Sequence, residues 1–272
     1  MLGAIIGDIV GSRFEFHNLK SRNFSLFSPQ CHVTDDSVMT LAVAKSLLEY
    51  LRNPEEALGE QAQFWLRKIG IHYPNCGYGS RFFTWIFTDT PLPYNSYGNG
   101  AAMRVSPCGF AADSLEDAIQ MAREVTEITH NHPEGMKGAE AVAAAIYIAL
   151  HGGSINQIRS YINDRYYTLD FTLDRIRDSY TFDASCQGSV PQAITAFLES
   201  NGFEDAIRNA ISIGGDSDTI ASITGALAEA YYGVPDYIRE QTLPYLDRAQ
   251  LEILREFESL FPPRLSWTPA EA

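Results

Sequence analysis

Two short acidic stretches hold the residues best suited to chemistry: Thr34-Asp35-Asp36 and Asp216-Ser217-Asp218-Thr219. Each sets carboxylates beside a hydroxyl, where an apolar helical run begins. Hard divalent cations such as Mg²⁺ and Mn²⁺ take oxygen ligands, which carboxylate, hydroxyl and water supply. Each stretch is therefore built like half of a metal site, and two halves that meet can hold two cations near one substrate. Helix capping is the competing reading. Asp218 alone is what an N-cap requires, with Asp216 a solvated turn residue, and Thr34 or Asp35 could cap the helix that follows. Yet a cap needs one short polar side chain, and two adjacent carboxylates repel unless a positive charge lies between them. Gly214-Gly215 ahead of Asp216 lets the backbone turn tightly there.

Helices must position these residues, because helical spacing of apolar side chains dominates the chain. The pattern predicts helices over 36–52, 54–68 (opened by Pro54), 114–130 (capped by Ser114), 133–152, 154–163, 191–200, 203–213, 219–232 and 248–260. Alternating strand patterns are nearly absent. Stretches 18–33, 71–79, 91–100 and 166–187 are rich in Gly, Pro, Asn and Ser and are predicted loops, a place where function concentrates. No linker, repeat or composition shift divides the chain. The expectation is one compact all-α, multi-helix domain over 1–272.

Composition narrows the function classes. The 272 residues are 45% hydrophobic, enough for a sizeable core, and carry a net charge of −14. That charge argues against general nucleic-acid binding, although bound cations and backbone N–H groups can still neutralise a phosphorylated ligand locally. The first residues lack a basic run, and Asp8 cuts their apolar stretch too short for a signal peptide. The most apolar stretch, 138–150, carries Glu140 and is too short for a membrane span. Cys31, Cys76, Cys108 and Cys186 are scattered without a CxxC pair, which favours reduced thiols and a cytoplasmic location.

Two further segments stand out. Gly98-Asn99-Gly100-Ala101-Ala102-Met103-Arg104 puts small residues ahead of a helical turn, where backbone N–H groups can approach a phosphate or ribose; the plainer reading is a tight turn with a surface arginine. His130-Asn131-His132 has the spacing of a ligand pair, but with no cysteine or third histidine nearby zinc is disfavoured. A loop histidine that contacts ligand or caps a helix fits better.

Taken together, these segments resemble the ADP-ribosylhydrolases of the dinitrogenase reductase-activating glycohydrolase type. The matching text is Gly3-Ala-Ile-Ile-Gly-Asp-Ile-Val-Gly-Ser-Arg-Phe-Glu15, Thr34-Asp-Asp-Ser-Val-Met39, Gly98-Asn-Gly-Ala-Ala-Met-Arg104, His130-Asn-His-Pro-Glu-Gly135 and Gly214-Gly-Asp-Ser-Asp-Thr219, in the family's order. The resemblance implies an all-α fold around a central dinuclear cleft with two Mg²⁺, or Mn²⁺, and hydrolysis of an N- or O-glycosidic bond to ADP-ribose. It implies Thr34, Asp35, Asp36, Asp216, Asp218 and Thr219 as metal ligands, and Glu15 as an acidic catalytic residue beside them, with Asp35 and Asp36 sharing that work. Gly98, Asn99 and Gly100 match a loop that contacts the distal ribose and diphosphate, with Met103 and Arg104 in the turn that follows, and His132 falls in a cleft-lining segment. One departure is visible. Some relatives carry an aspartate just before the Gly-Asn-Gly loop, whereas Pro93-Tyr-Asn-Ser-Tyr97 has no acid.

The implied partner is an ADP-ribosylated protein or small molecule, with an arginine acceptor favoured by the chain's acidity. Two other functions stay open: a silent ADP-ribose-binding or structural relative, and a two-metal phosphoryl hydrolase. Retention of the full ligand set favours an enzyme over a silent relative.

Overall fold

A glycine ladder sets the centre of the fold. Gly3, Gly7 and Gly11 recur every four residues, so they share one face of the first helix, α1 (Leu2–Gly11). A Cβ on Gly3 would lie 2.1 Å from the Gly225 carbonyl oxygen, one on Gly7 1.9 Å from that of Ala221, and one on Gly11 2.5 Å from Asp218 Cα. Only bare backbone lets these two helices approach so closely. All ten residues of α1 are buried, as are residues 217–230 of its partner. Leu2, Ile5, Ile6 and Ile9 are at most 1% exposed, and burial of each contributes roughly 1.5–3 kcal/mol.

The computed structural model describes residues 1–262. After α1 come α2 (Asp35–Arg52), α3 (Leu58–Gly70), α4 (Ser80–Phe87), α5 (Gly100–Met103), α6 (Ser106–Ala111), α7 (Leu115–Glu127) and α8 (Pro133–Leu150). Then follow α9 (Ile155–Arg165), α10 (Leu173–Ile176), α11 (Cys186–Leu198), α12 (Phe203–Ser212), α13 (Ser217–Tyr232), α14 (Asp236–Thr242) and α15 (Arg248–Leu260). Among the described residues there is no β-strand, only an isolated bridge between Gly98 and Ser185. The all-α expectation holds; its range of 1–272 extends over 263–272, which lie outside the described residues. No described helix is long and apolar enough to cross a membrane.

Two predicted boundaries fail at prolines. Pro54 does not open a helix: Glu56 N–H donates to the Asn53 carbonyl, so Asn53-Pro54-Glu55-Glu56 closes a turn and α3 starts at Leu58. Pro191 does not start α11 either. Ser185 Oγ accepts from Gly188 N–H as the cap, and Pro191 sits inside the helix, which forgoes one backbone hydrogen bond. The residues of α1, for which the pattern predicted no helix, form one that is buried at every position.

Candidate active site

The α1–α13 pairing brings one end of each helix beside the start of α2. The two acidic stretches, 180 residues apart in sequence, meet there: Thr219 Oγ1 donates to Asp36 Oδ2 at 3.1 Å. Glu15, just past the end of α1, joins them. Glu15, Asp216 and Asp218 each offer a carboxylate oxygen, all within 4.8 Å of one another. Asp36 Oδ1 is buried and has no hydrogen-bond partner.

Such crowding is costly in the absence of cations. Burial, followed by the charges of Asp216 and Asp8, pushes the Glu15 carboxyl up to about 7. Burial and then the Asp8 charge push Asp35 up to about 8. Asp36 and Asp218 are likewise raised by burial first and by neighbouring carboxylates second. A divalent cation would remove the repulsion and give the orphaned Asp36 oxygen a partner, so the residues present fit a metal. The α2 and α13 N-termini add the positive ends of two helix dipoles.

These groups line a cavity of about 340 Å³. Of the residues predicted from sequence, Glu15, Asp35, Asp36, Gly98, Asn99, Gly100, Met103, Arg104, Asp216, Asp218 and Thr219 all face it. Thr34 sits beneath as the α2 cap, its Oγ1 accepting from Asp36 N–H at 3.3 Å. His132 is placed differently. It does not line the cavity, and its Nδ1 accepts from Glu134 N–H to cap α8. His130 lines the cavity instead, 3.4 Å from where a Cβ on Gly100 would lie. Burial first, then the charges of Arg104 and Arg81, hold this imidazole well below its usual pKa, hence neutral. The histidine pair gave no sequence signal for which member faces inward.

The Gly-Asn-Gly turn is tied to the acids. Asn99 Nδ2 donates to Asp216 Oδ2 at 2.7 Å and to Ser189 Oγ at 3.0 Å. Arg104 is buried rather than on the surface. Its Nη2 donates to Thr129 Oγ1 and to the Val125 carbonyl, while Nε has no partner. Burial lowers its pKa to about 10, and no carboxylate pairs with it among the described residues. The cavity lining thus holds the acids together with Arg104, Arg81 and His130. In a cavity of about 360 Å³ between α2, α3 and α15, Lys45 pairs with Glu49 and Glu256.

Loops complete the arrangement. Gly214 and Gly215 adopt φ of +69° and +79°, a conformation that favours glycine, and so turn Asp216 into the site. The Asn18 amide brackets Gly215, accepting from its N–H at 2.7 Å and donating to its carbonyl at 2.9 Å. The same amide nitrogen donates to the Phe14 and Glu15 carbonyls. Asn18 was not singled out from sequence, since a lone asparagine in a loop carries no spacing signal.

Comparison with known proteins gives the family. The chain is 27% identical to human (Homo sapiens) ADP-ribosylhydrolase ARH3, across 86% of this chain and 84% of that protein. It is 26% identical to the ADP-ribosyl-[dinitrogen reductase] glycohydrolase of Rhodospirillum rubrum, across 95% and 93%. A solved structure described as an ADP-ribosylglycohydrolase-related protein complex shares the fold, with a TM-score of 0.68, 23% identity, and coverage of 96% and 94% of the two chains. A model of the family described as ADP-ribosylglycohydrolase matches residues 1–265, and the chain therefore belongs to the ADP-ribosylglycohydrolase family.

Proposed function

We propose that this protein hydrolyses the glycosidic bond between ADP-ribose and a modified acceptor, an arginine side chain foremost, and releases free ADP-ribose. The observation that carries the reading is the junction of the two acidic stretches at the Thr219–Asp36 hydrogen bond, beside a buried carboxylate oxygen without a partner. Thr34, Asp35, Asp36, Asp216, Asp218 and Thr219 would hold two Mg²⁺, or Mn²⁺. Cations bound there supply Lewis-acid charge that fixes the hydroxyls of the distal ribose.

The chain's own residues do the rest. The Gly98–Gly100 turn, pinned to Asp216 through Asn99, lines the cavity with glycines that let ribose and diphosphate approach the backbone closely. Arg104, with Met103 before it and neutral His130 in the same lining, suits the phosphate-bearing part of the ligand. Glycoside hydrolysis passes through an oxocarbenium-like state, whose positive charge a carboxylate-lined end stabilises. Glu15, half-buried beside the acids, can take a proton from water or deliver one to the leaving group. No acid stands in residues 93–97, so a carboxylate of the cluster, Glu15, Asp35 or Asp36, would serve that transfer, or the water would be activated by bound cations directly. The free thiols suit a reducing cytoplasm.

Acidic pairs also suit two-metal phosphoryl hydrolysis, and product identity separates the two. Incubation of ADP-ribosylarginine and ADP-ribosylserine peptides with Mg²⁺ or EDTA is expected to give metal-dependent free ADP-ribose. AMP or inorganic phosphate would replace this reading with phosphoryl transfer. Tight ADP-ribose binding without release from any protein, nucleobase or small-molecule adduct would leave a silent binding protein.

A further inference from the structure

One carboxylate of the cluster lies outside the cavity and has no place in the mechanism above. Asp8 is fully buried in α1, yet every hydrogen bond recorded to its carboxylate comes from the start of α2. Its Oδ1 accepts from Thr34 Oγ1 at 2.6 Å. Its Oδ2 accepts from Thr34 N–H at 3.1 Å, from Ser37 N–H at 3.0 Å and from the Ser37 hydroxyl. Three donors crowd Oδ2, one holds Oδ1, and Asp8 does not line the cavity, so its carboxylate serves the start of α2.

We infer that Asp8 is a positioning residue that prepares Thr34 and the first turn of α2 to receive a divalent cation. A threonine hydroxyl has one proton and two lone pairs. The Thr34 proton is committed to Asp8, and one lone pair accepts from Asp36 N–H. What remains is a lone pair, so Thr34 could serve a cation only as an acceptor. Asp8 also relieves Asp35 and Asp36 of capping duty. A helix N-terminus leaves orphan N–H groups that nearby carboxylates ordinarily satisfy. Here Asp8 takes Ser37 N–H and Thr34 takes Asp36 N–H, which leaves Asp36 Oδ1 without a partner. The Gly3-Gly7-Gly11 ladder presses α1 against α13 and so makes the core itself the support for the site.

The inference rests on the cation-site reading above, and Mn²⁺ affinity, measured by calorimetry and by the Mn²⁺ EPR signal, tests both. Asp8→Asn offers one acceptor where the carboxylate offers two. Its amide oxygen suits the two backbone N–H groups, so its NH₂ faces the Thr34 hydroxyl and turns that proton away from Asp8. The expected result is Mn²⁺ binding weakened on the order of 10–100-fold, the usual effect of losing an outer-shell partner. Asp8→Asn also removes a charge, which would act with or without Thr34. In a Thr34→Ala background the same substitution is therefore expected to cost about tenfold less, as for residues that share one hydrogen bond. Equal losses in both backgrounds, or wild-type affinity in Asp8→Asn, would overturn the inference while leaving the cation site standing. A wild-type chain that binds no Mn²⁺ would overturn both. Thermal unfolding in EDTA checks that each variant folds. If Asp8→Asn does not, Ser37→Ala removes one of its donors and keeps the charge. A few-fold loss of Mn²⁺ affinity is then expected, and unchanged affinity would overturn the inference.

Discussion

The two halves of the acidic site are held in different ways. The α2 half is fixed from the core: Asp8 grips Thr34 and Ser37, and Thr34 caps the helix. In the α13 half, Asp218 and Thr219 share the core packing of α1 on α13, but Asp216 and the turn before it are fixed by loops. Asp216, the residue before α13, makes no capping hydrogen bond, and its carboxylate is engaged by Asn99 across the cavity. The turn behind it is bracketed by Asn18, and Lys20 Nζ donates to the Ile213 carbonyl. A core-held half is costly to perturb and resists local motion, whereas a loop-held half can be loosened while the fold survives.

Substitutions that strike the shared scaffold should therefore have the largest effect. Gly7→Val forces a branched side chain against the Ala221 carbonyl, which lies 1.9 Å from the position of a Cβ. The expected loss is at or above the ~3 kcal/mol upper end for overpacking, read from urea unfolding, and both halves should fail together. A Gly7→Val protein as stable as wild type would mean that α1 and α13 are not pressed together as described.

Next in size are the acids. Asp218→Asn should lower turnover by more than ~100-fold, beyond the range of an outer-shell change, with the far-ultraviolet circular dichroism of a helical protein retained. Retained activity would separate the α13 half from the chemistry.

Stability should also depend on pH in a way that cations reverse. Glu15 and Asp35 titrate near 7 and 8 in the folded chain, against about 4 when unfolded. Between about pH 4 and 8 the folded chain keeps protons that the unfolded chain has released, so this contribution to stability is lost as pH rises. In EDTA, Tm should fall from pH 5 to pH 8. Mg²⁺ should raise Tm more at pH 8 than at pH 5, because carboxylates must be deprotonated to bind it. A Tm gain from Mg²⁺ that is larger at pH 5 would contradict the crowding of these acids.

The smallest effect is expected at the periphery. Asn18→Ala should cost about 1 kcal/mol or less in stability, the worth of a typical hydrogen bond at an exposed residue. It should nonetheless reduce turnover, because Glu15 and Asp216 lose their common tie. A loss of stability as large as that of Gly7→Val would erase the distinction between a core-held and a loop-held half.

The same contrast governs what could be read from sequence. Helices with apolar faces, such as α2 and α15, were legible because burial repeats every three to four residues. The acids of both halves drew notice because adjacent carboxylates repel and exceed what a helix cap requires. Pro54 and Pro191 misled because proline suits a turn or a helix start equally well, and backbone hydrogen bonds elsewhere decide. Asp8, Asn18 and His130 were not assigned roles, since their partners lie 26, 197 and 30 residues away at Thr34, Gly215 and Gly100. No local spacing encodes such meetings; helix packing creates them.

The claim that joins these observations is that two distant acidic stretches form one cation site. Titration of Mn²⁺ into wild type, Asp36→Asn and Asp218→Asn under matched conditions tests it directly. The account predicts two Mn²⁺ bound by wild type, and binding weakened by either substitution, since both halves serve the same ions. Unchanged Mn²⁺ binding in both variants would contradict it.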